Sequence, residues 1–419
     1  MMEKSVKFGS YIIIPLKYEK EDFREEILKE RFGAYPVSTM DINENVKEMF
    51  NGSHNASGSC YKVKREDLCG AFGGVNTFGV EKAGHTYSFQ VQDSYLYIYF
   101  TQVAFLCLQI RYDDMRTIHT ICNPGSAVNK ARFFMLDQAE RAKEFSVEKW
   151  LEDFLTPLGL KKFFDGNSSY LLDAYTYLLA LFPERFQTLG EMKRLTFNLH
   201  QMMPLDTLVE DDSEADIRYV YAVKVQSLNS YRWGCCVASQ TISYVVADAE
   251  VDIDAEMDVQ ACDGLPVVTL ALYQKYTCLR FTQLISALEG RKMSRIKELK
   301  KMMLRFQAFG TVLPAGLSRW HNVKQIYGYI LEVNDISTAV SDVSAKVSIL
   351  AERQEELERS RNEMFINLIT LFGVISILAS VLDIIQILSG GGTAVWATMI
   401  FTNIALVLCI AAVLWVNRK

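Results

Sequence analysis

Of 419 residues, 50% are hydrophobic and 22% charged, with a formal net charge of −6; this balance excludes a disordered chain, a collagen-like repeat and a strongly basic coat for nucleic acid. The length allows two or three domains and a sizeable buried core. The mean hydropathy of +0.06 is high for a wholly soluble protein, and the excess is local, because only Asp383, Arg418 and Lys419 carry charge beyond Glu363.

In chain order, the apolar run near the start is too short for a secretory signal and predicts a first strand ending at Pro15. Gly70-Ala71-Phe72-Gly73-Gly74 lacks the Lys-Ser/Thr of a phosphate loop and reads as a loop. Residues 95–111 are β-branched and aromatic with a polar break at Thr101-Gln102, which predicts a buried hairpin. Residues 147–163 and 170–203 predict helices, with Pro183 and Pro204 as breaks. Residues 219–225 and 241–246 predict strands, and a mixed sheet flanked by helices is the economical arrangement. The five histidines stand isolated. Nine cysteines form no Cys-x-x-Cys pair and read as packing residues, the vicinal Cys235-Cys236 being the pair open to redox chemistry or metal.

Asp248, Glu250, Asp252, Asp254, Glu256 and Asp258 alternate with apolar residues, and period two predicts a strand with one acidic face. Six carboxylates on one face repel unless water, a basic partner or a divalent cation screens them, so Asp252, Asp254 and Glu256 are candidate cation-sensing residues. Met257 stands where a calcium loop needs glycine, which leaves a solvated edge strand or pairing with basic residues as the alternatives. A second acidic run, residues 210–214, reads as an exposed loop.

Residues 281–309 predict a basic amphipathic helix with Ile296, Leu299, Met303 and Phe306 on one face, followed by a turn at residues 310–316. A heptad seam then runs from Ile326 through Val340, Val347, Gln354 and Arg361 to Met364 and predicts one uninterrupted rod to Leu388 that needs a partner helix. Residues 364–388 and 394–416 are each long and apolar enough to cross a bilayer, with an uncharged five-residue linker between them. Arginines before the first span and Arg418-Lys419 after the second place both termini in the cytoplasm. The fold expected is an α+β cytosolic domain (residues 1–280), a helical hairpin and stalk (281–363) and a transmembrane hairpin (364–419).

This layout, most specifically over residues 362–419 and more loosely at 95–111 and 269–286, resembles the CorA family of divalent-cation transporters. The resemblance implies a funnel-shaped pentamer in the inner or plasma membrane whose first spans surround a pore for hydrated magnesium. The family's Gly-Met-Asn filter is missing: Gln386-Ile387-Leu388-Ser389-Gly390-Gly391 stands there. Family members without the tripeptide include proteins thought to act as signal-gated membrane effectors in antiphage defence. On a helical wheel Thr370, Gly373, Ser376, Ser380 and Asp383 form one small, polar arc. Either that arc lines a water-filled path, where Asp383 repeated by symmetry makes a carboxylate ring, or it packs against the second span, where Asn403 offers a hydrogen bond. The function expected is an oligomeric channel or transporter for divalent cations; the alternative is a ligand-gated membrane effector on the same scaffold without magnesium selectivity. The expected partners are membrane lipid, further copies of the chain and Mg2+ or another divalent cation as transported or regulatory ion. No resident cofactor, enzymatic activity or nucleic acid is expected.

Overall fold

The computed structural model describes residues 6–51, 58–63, 76–123, 125, 130–136, 142–166, 169–207, 232–248, 250–287, 294–389, 397, 401 and 404. The expectations for residues 70–74, 210–214, 219–225, 394–416 and Asn403 therefore lie wholly or almost wholly outside the described residues. The chain divides into two compact units, Met1–Arg291 with Glu298–Ala345, and Lys292–Lys297 with Lys346–Lys419.

The first unit is an α+β domain built on a large sheet. Its elements are β1 (Lys7–Tyr18), α1 (Glu25–Arg31), β2 (Phe32–Ala34), α2 (Glu44–Lys47), β3 (Gly58–Val63), β4 (Thr77–Lys82), β5 (His85–Tyr99), β6 (Val103–Tyr112), α3 (Met115–Cys122), β7 (Arg132–Leu136) and β8 (Ala142–Phe145). There follow α4 (Val147–Leu155), β9 (Leu160–Lys162), β10 (Tyr175–Phe182), α5 (Leu189–His200), β11 (Trp233–Val237), β12 (Thr241–Ala247), α6 (Ile253–Cys262), α7 (Gly264–Ser286), α9 (Pro314–Leu317) and α10 (His321–Val333); α8 (Ser294–Arg305) and α11 (Ile336–Ser389) are shared with the second unit, which holds α8 up to Lys297 and α11 from Lys346. Among the described residues the main path of the sheet runs β11-β12-β10-β1-β6-β5-β4-β7-β8, with β3 on β5, β2 on β3 and β9 on β1. Every pairing is antiparallel except β10 with β12.

The central strands β1, β6 and β10 are buried almost throughout, as strands covered on both faces must be. Phe8, Ile12, Ile14 and Leu16 of β1 join one core with residues of α3, α4 and α5, including Ile118, Leu151, Phe154, Met192 and Leu195. The alternate residues face α6 and α7: the Tyr11 hydroxyl donates to the Met257 carbonyl, and Tyr99 of β5 stacks on Tyr273 at 4.0 Å between ring centroids. Gly9 lets α6 approach this closely, because a Cβ there would lie 2.5 Å from the Met257 sulfur.

The turns follow backbone chemistry. Ala83 (φ 52°) and Gly84 (φ 78°) form the two-residue turn between β4 and β5, the left-handed pair that matches strand twist. At the expected break after Tyr99, Gln102 (φ 65°) supplies the left-handed residue of a three-residue turn.

Several expectations are corrected. β1 passes through Pro15 to Tyr18: pairing with β10 ends at Ile13 and pairing with β9 begins at Leu16, so the proline nitrogen falls in the gap between two partners on that side. The helix expected over 147–163 stops at Leu155, where a short 3₁₀ turn containing Pro157 and left-handed Gly159 leads into β9. The helix expected over 170–203 contains β10 instead. Its eight residues, apolar but for Thr176, have no helical period to declare, and they are buried between β1 and β12 before Pro183 ends the strand and α5 begins. The acidic strand expected over 248–258 is helix α6 from Ile253. Ile253, Met257 and Ala261 recur every four residues on its buried face, and Asp254 and Glu256 sit in the first turn, where carboxylates favour a helix start. The basic helix expected over 281–309 divides, since α7 ends at Ser286 and α8 starts at Ser294. Finally, the rod does not begin at Ile326. α10 ends at Val333, and exposed Asp335 takes a left-handed conformation (φ 47°) before α11 starts, a conformation that Asn and Asp tolerate better than other side chains.

Candidate functional site

α11 runs unbroken for 54 residues, about 80 Å at 1.5 Å per residue. Among the described residues it is the one helix long and apolar enough to cross a membrane. Of its heptad seam, Ile336, Val343, Val347 and Gln354 are buried and Val340 and Leu350 half-buried, whereas Leu357 and Arg361 are exposed. Near the end of the seam Glu358 accepts an ion pair from Lys297 at 2.8 Å, which holds its carboxyl below the usual range. This is where the basic helix meets an acidic partner.

Beyond Met364 the helix exposes Ile366, Ile369, Leu371, Val374, Ile377, Leu378, Val381 and Ile384, each between 45% and 68%. Eight large side chains half in water forgo on the order of 10 kcal/mol of burial, the mark of a surface that meets lipid or protein. Thr370, Ser376 and Ser380 are exposed on this segment as well. The Thr370 hydroxyl donates to the Ile366 carbonyl at 2.8 Å and the Ser380 hydroxyl to the Ser376 carbonyl at 2.9 Å. Each spends its proton on its own helix, so what faces outward is an acceptor oxygen, the polarity a cation prefers. Gly373 has open space around it. Asp383 lies within α11, but its side chain is outside the described residues, so the ring expected there has no measured geometry. Phe365, Leu368, Phe372, Ile375 and Ala379 form a half-buried line at three- and four-residue spacing; Leu368 and Ile375 belong to the heptad seam expected to continue through Leu371, Leu378, Leu382 and Ile385, of which Leu371 and Leu378 are exposed, whereas Phe365, Phe372 and Ala379 were not expected.

The sensor candidates lie apart in their contacts. Asp252 pairs with Lys7 at 3.0 Å, which lowers its carboxyl from the usual range, and Asp254 pairs with Arg111 at 2.7 Å. Glu256 instead accepts from the Gln260 amide at 2.8 Å, and burial together with Asp248 and Asp263 raises its carboxyl. Among the described residues no group of three or more His, Cys, Asp or Glu side chains is placed to hold a metal ion. Cys235 and Cys236 are both fully buried, and burial raises both thiols, which silences them as nucleophiles.

Three cavities among the described residues of the first unit were not foreseen; one, of about 490 Å³, lies between residues 45–49 and 308–316. A second, of about 470 Å³, lies along β7, β8 and the start of α4; of its charged lining residues Arg132 pairs with Glu81 at 2.7 Å and Lys162 with Glu148 at 3.0 Å. The third, of about 310 Å³, is walled by Trp233 and Tyr244 of β11 and β12, by α6, by the start of α7 and by Asn322, Val323 and Ile326 of α10. Asp41, Glu256 and Asp263 line it too. The long separations among Asp41, Trp233 and Asp263 hide this grouping from any local motif. No family model, curated protein or solved structure matches the chain.

Proposed function

We propose that the chain is an oligomeric membrane channel or transporter for divalent cations, built on a CorA-like plan. Residues 364–388 and 394–416 form the two spans, and the α+β unit lies on the cytoplasmic side of the inner or plasma membrane together with both flanks of the spans. The observation that carries the reading is α11, an unbroken helix whose last part exposes large apolar side chains around a line of Thr370, Gly373, Ser376 and Ser380. An apolar helix surface of this kind is stable in lipid and costly in water, and outward acceptor oxygens at helix–helix contacts suit a cation path. Several copies, five by the CorA resemblance, bring those oxygens and Asp383 round one axis, where a carboxylate ring attracts and partly dehydrates cations.

Proteoliposomes enclosing a magnesium-sensitive dye test the proposal. Ligand-free influx that disappears in Asp383→Ala supports it; absence of influx from vesicles shown to contain correctly inserted protein refutes it. The second reading, a membrane effector opened by a small ligand of the α+β unit, is favoured by the 310 Å³ cavity and would give flux only after a ligand is added.

A further inference from the structure

The cavity between β11, β12, α6, α7 and α10 has a composition that selects a class of occupant. Its carboxylates alone would mark only an acidic surface; the concave volume and the two aromatic residues that line it distinguish it. About 310 Å³ is within the range of small-ligand pockets. Trp233 and Tyr244 sit on neighbouring strands, Tyr244 paired with Cys235 in a register that puts Trp233 opposite Val246, so both rings reach the cavity from one end of the sheet. Tyr244 packs on Tyr177 at 5.5 Å between ring centroids, and Tyr177 in turn on Tyr11 at 5.7 Å. Asp41, Glu256 and Asp263 line it as well, all half-buried, and among the described residues none of the three makes an ion pair.

The electrostatics agree. Burial raises the carboxyls of both Asp41 and Glu256, and Asp263 raises each further; Arg319 offsets this only in part at Asp41. Asp263 stands where α6 ends and α7 begins, so the two helix dipoles oppose one another there and leave its charge largely uncancelled. The site therefore gains by taking up positive charge. Magnesium or calcium needs several oxygens within 2.0–2.6 Å of one point, and the carboxylates are not grouped for that. A diffuse cation with apolar substituents can satisfy them at longer range while resting on the indole and phenol faces.

We propose that this cavity is a binding site for an organic ammonium ion, with Trp233 and Tyr244 facing its apolar groups and Asp41, Glu256 and Asp263 balancing its charge. Because α10 supplies a wall and ends at the left-handed Asp335 that precedes α11, occupancy bears on the segment that leads into the long helix.

The test is calorimetric titration of the full-length chain in detergent micelles with choline and with its neutral isostere 3,3-dimethylbutan-1-ol. It reads binding alone, so a chain that fails to conduct ions leaves it intact. Choline is expected to bind at least about tenfold more tightly than the isostere. Asp263→Asn and Trp233→Leu should each weaken choline about tenfold, and Trp233→Phe should restore much of the loss. Val259, an exposed residue at the mouth, gives a variant that spares the core: Val259→Trp should abolish binding by filling the space. Equal affinity for choline and the isostere, unchanged binding in Asp263→Asn with native near-ultraviolet dichroism, or displacement of choline by equimolar magnesium would overturn the assignment.

Discussion

Arg280 offers a sharp test of how the α+β unit is held together. Its side chain is 5% exposed, yet it carries a full charge from α7 to the end of β1 and the β5–β6 turn. One terminal nitrogen donates to Glu19 at 2.6 Å, to the Gln102 side-chain oxygen at 2.8 Å and to the Tyr18 carbonyl at 3.4 Å, while the other reaches Gln283 at 3.3 Å. Replacement by Met keeps most of the apolar stem and removes every one of these donors. Losing one partner of a fully buried ion pair costs about 3–5 kcal/mol. Glu19 is half-exposed and rehydrates, so the cost falls mainly on the Gln102 and Tyr18 oxygens, at about 1–3 kcal/mol each for an acceptor left dry. The expectation is about 2–4 kcal/mol for Arg280→Met and roughly half of that for Arg280→Lys, which keeps the charge without the fork. Guanidinium unfolding in micelles, followed by tryptophan fluorescence with the slope checked for constancy, measures it. A loss below about 0.5 kcal/mol in Arg280→Met, or Lys performing as well as Arg, would refute the reasoning.

Three further outcomes are expected. His200 is buried beside Ser243 (3.3 Å), and burial depresses its pKa to about 4. The unfolded chain therefore takes up a proton near pH 6.5 that the folded chain refuses until about pH 4, so stability is lost as pH falls across that window. The loss is about 3 kcal/mol, and His200→Gln should flatten the fall in denaturation midpoint between pH 7 and 4.5 relative to the unsubstituted chain. Asp335 is exposed and left-handed, so Asp335→Gly should raise the melting free energy by about 0.5–1 kcal/mol and Asp335→Val lower it by about 1–2 kcal/mol; the same sign for both would show that the backbone is not the cause. Gly9→Ala should destabilise by about 1–3 kcal/mol through the Met257 sulfur, and a second change, Met257→Ala, should recover part of that in a double-mutant cycle; strict additivity would argue against the contact.

The sequence exposed those features whose physics is local. The β5–β6 hairpin was legible because a polar pair interrupts a β-branched run, and β12 because its turn residues and apolar pattern are short-range. The packed face of α8 was legible because Leu299 and Met303, with Phe306 in the π-helical turn that follows, keep helical spacing; these three are buried and Ile296 is half-buried. What was misread depends on partners. Tyr175–Phe182 is buried at every position and apolar at all but Thr176, and only its place between β1 and β12 makes it a strand. Residues 252–258 alternate like a strand, yet Ile253, Met257 and Ala261 satisfy a helix equally well, and contact with β1 decides. The apolar stretch of α11 was visible as composition, whereas the half-buried line through Phe365 and Phe372 was not, because burial is a property of neighbours. The cavity holding Trp233 was beyond reach for the same reason.

The position of β1 between β6 and β10 has a cost during synthesis. β1 leaves the ribosome before both of its neighbours: the strand on one side of it is made roughly 90 residues later and the strand on the other roughly 160 residues later. At typical translation speeds of about 5–20 residues per second, its Ile12-Ile13-Ile14 segment waits on the order of 10–30 s for its second neighbour. Until then a sticky ribbon with at least one edge open is exposed to the crowded cell, so the yield of mature protein should depend more on chaperone supply and elongation rate than on the final strength of the sheet.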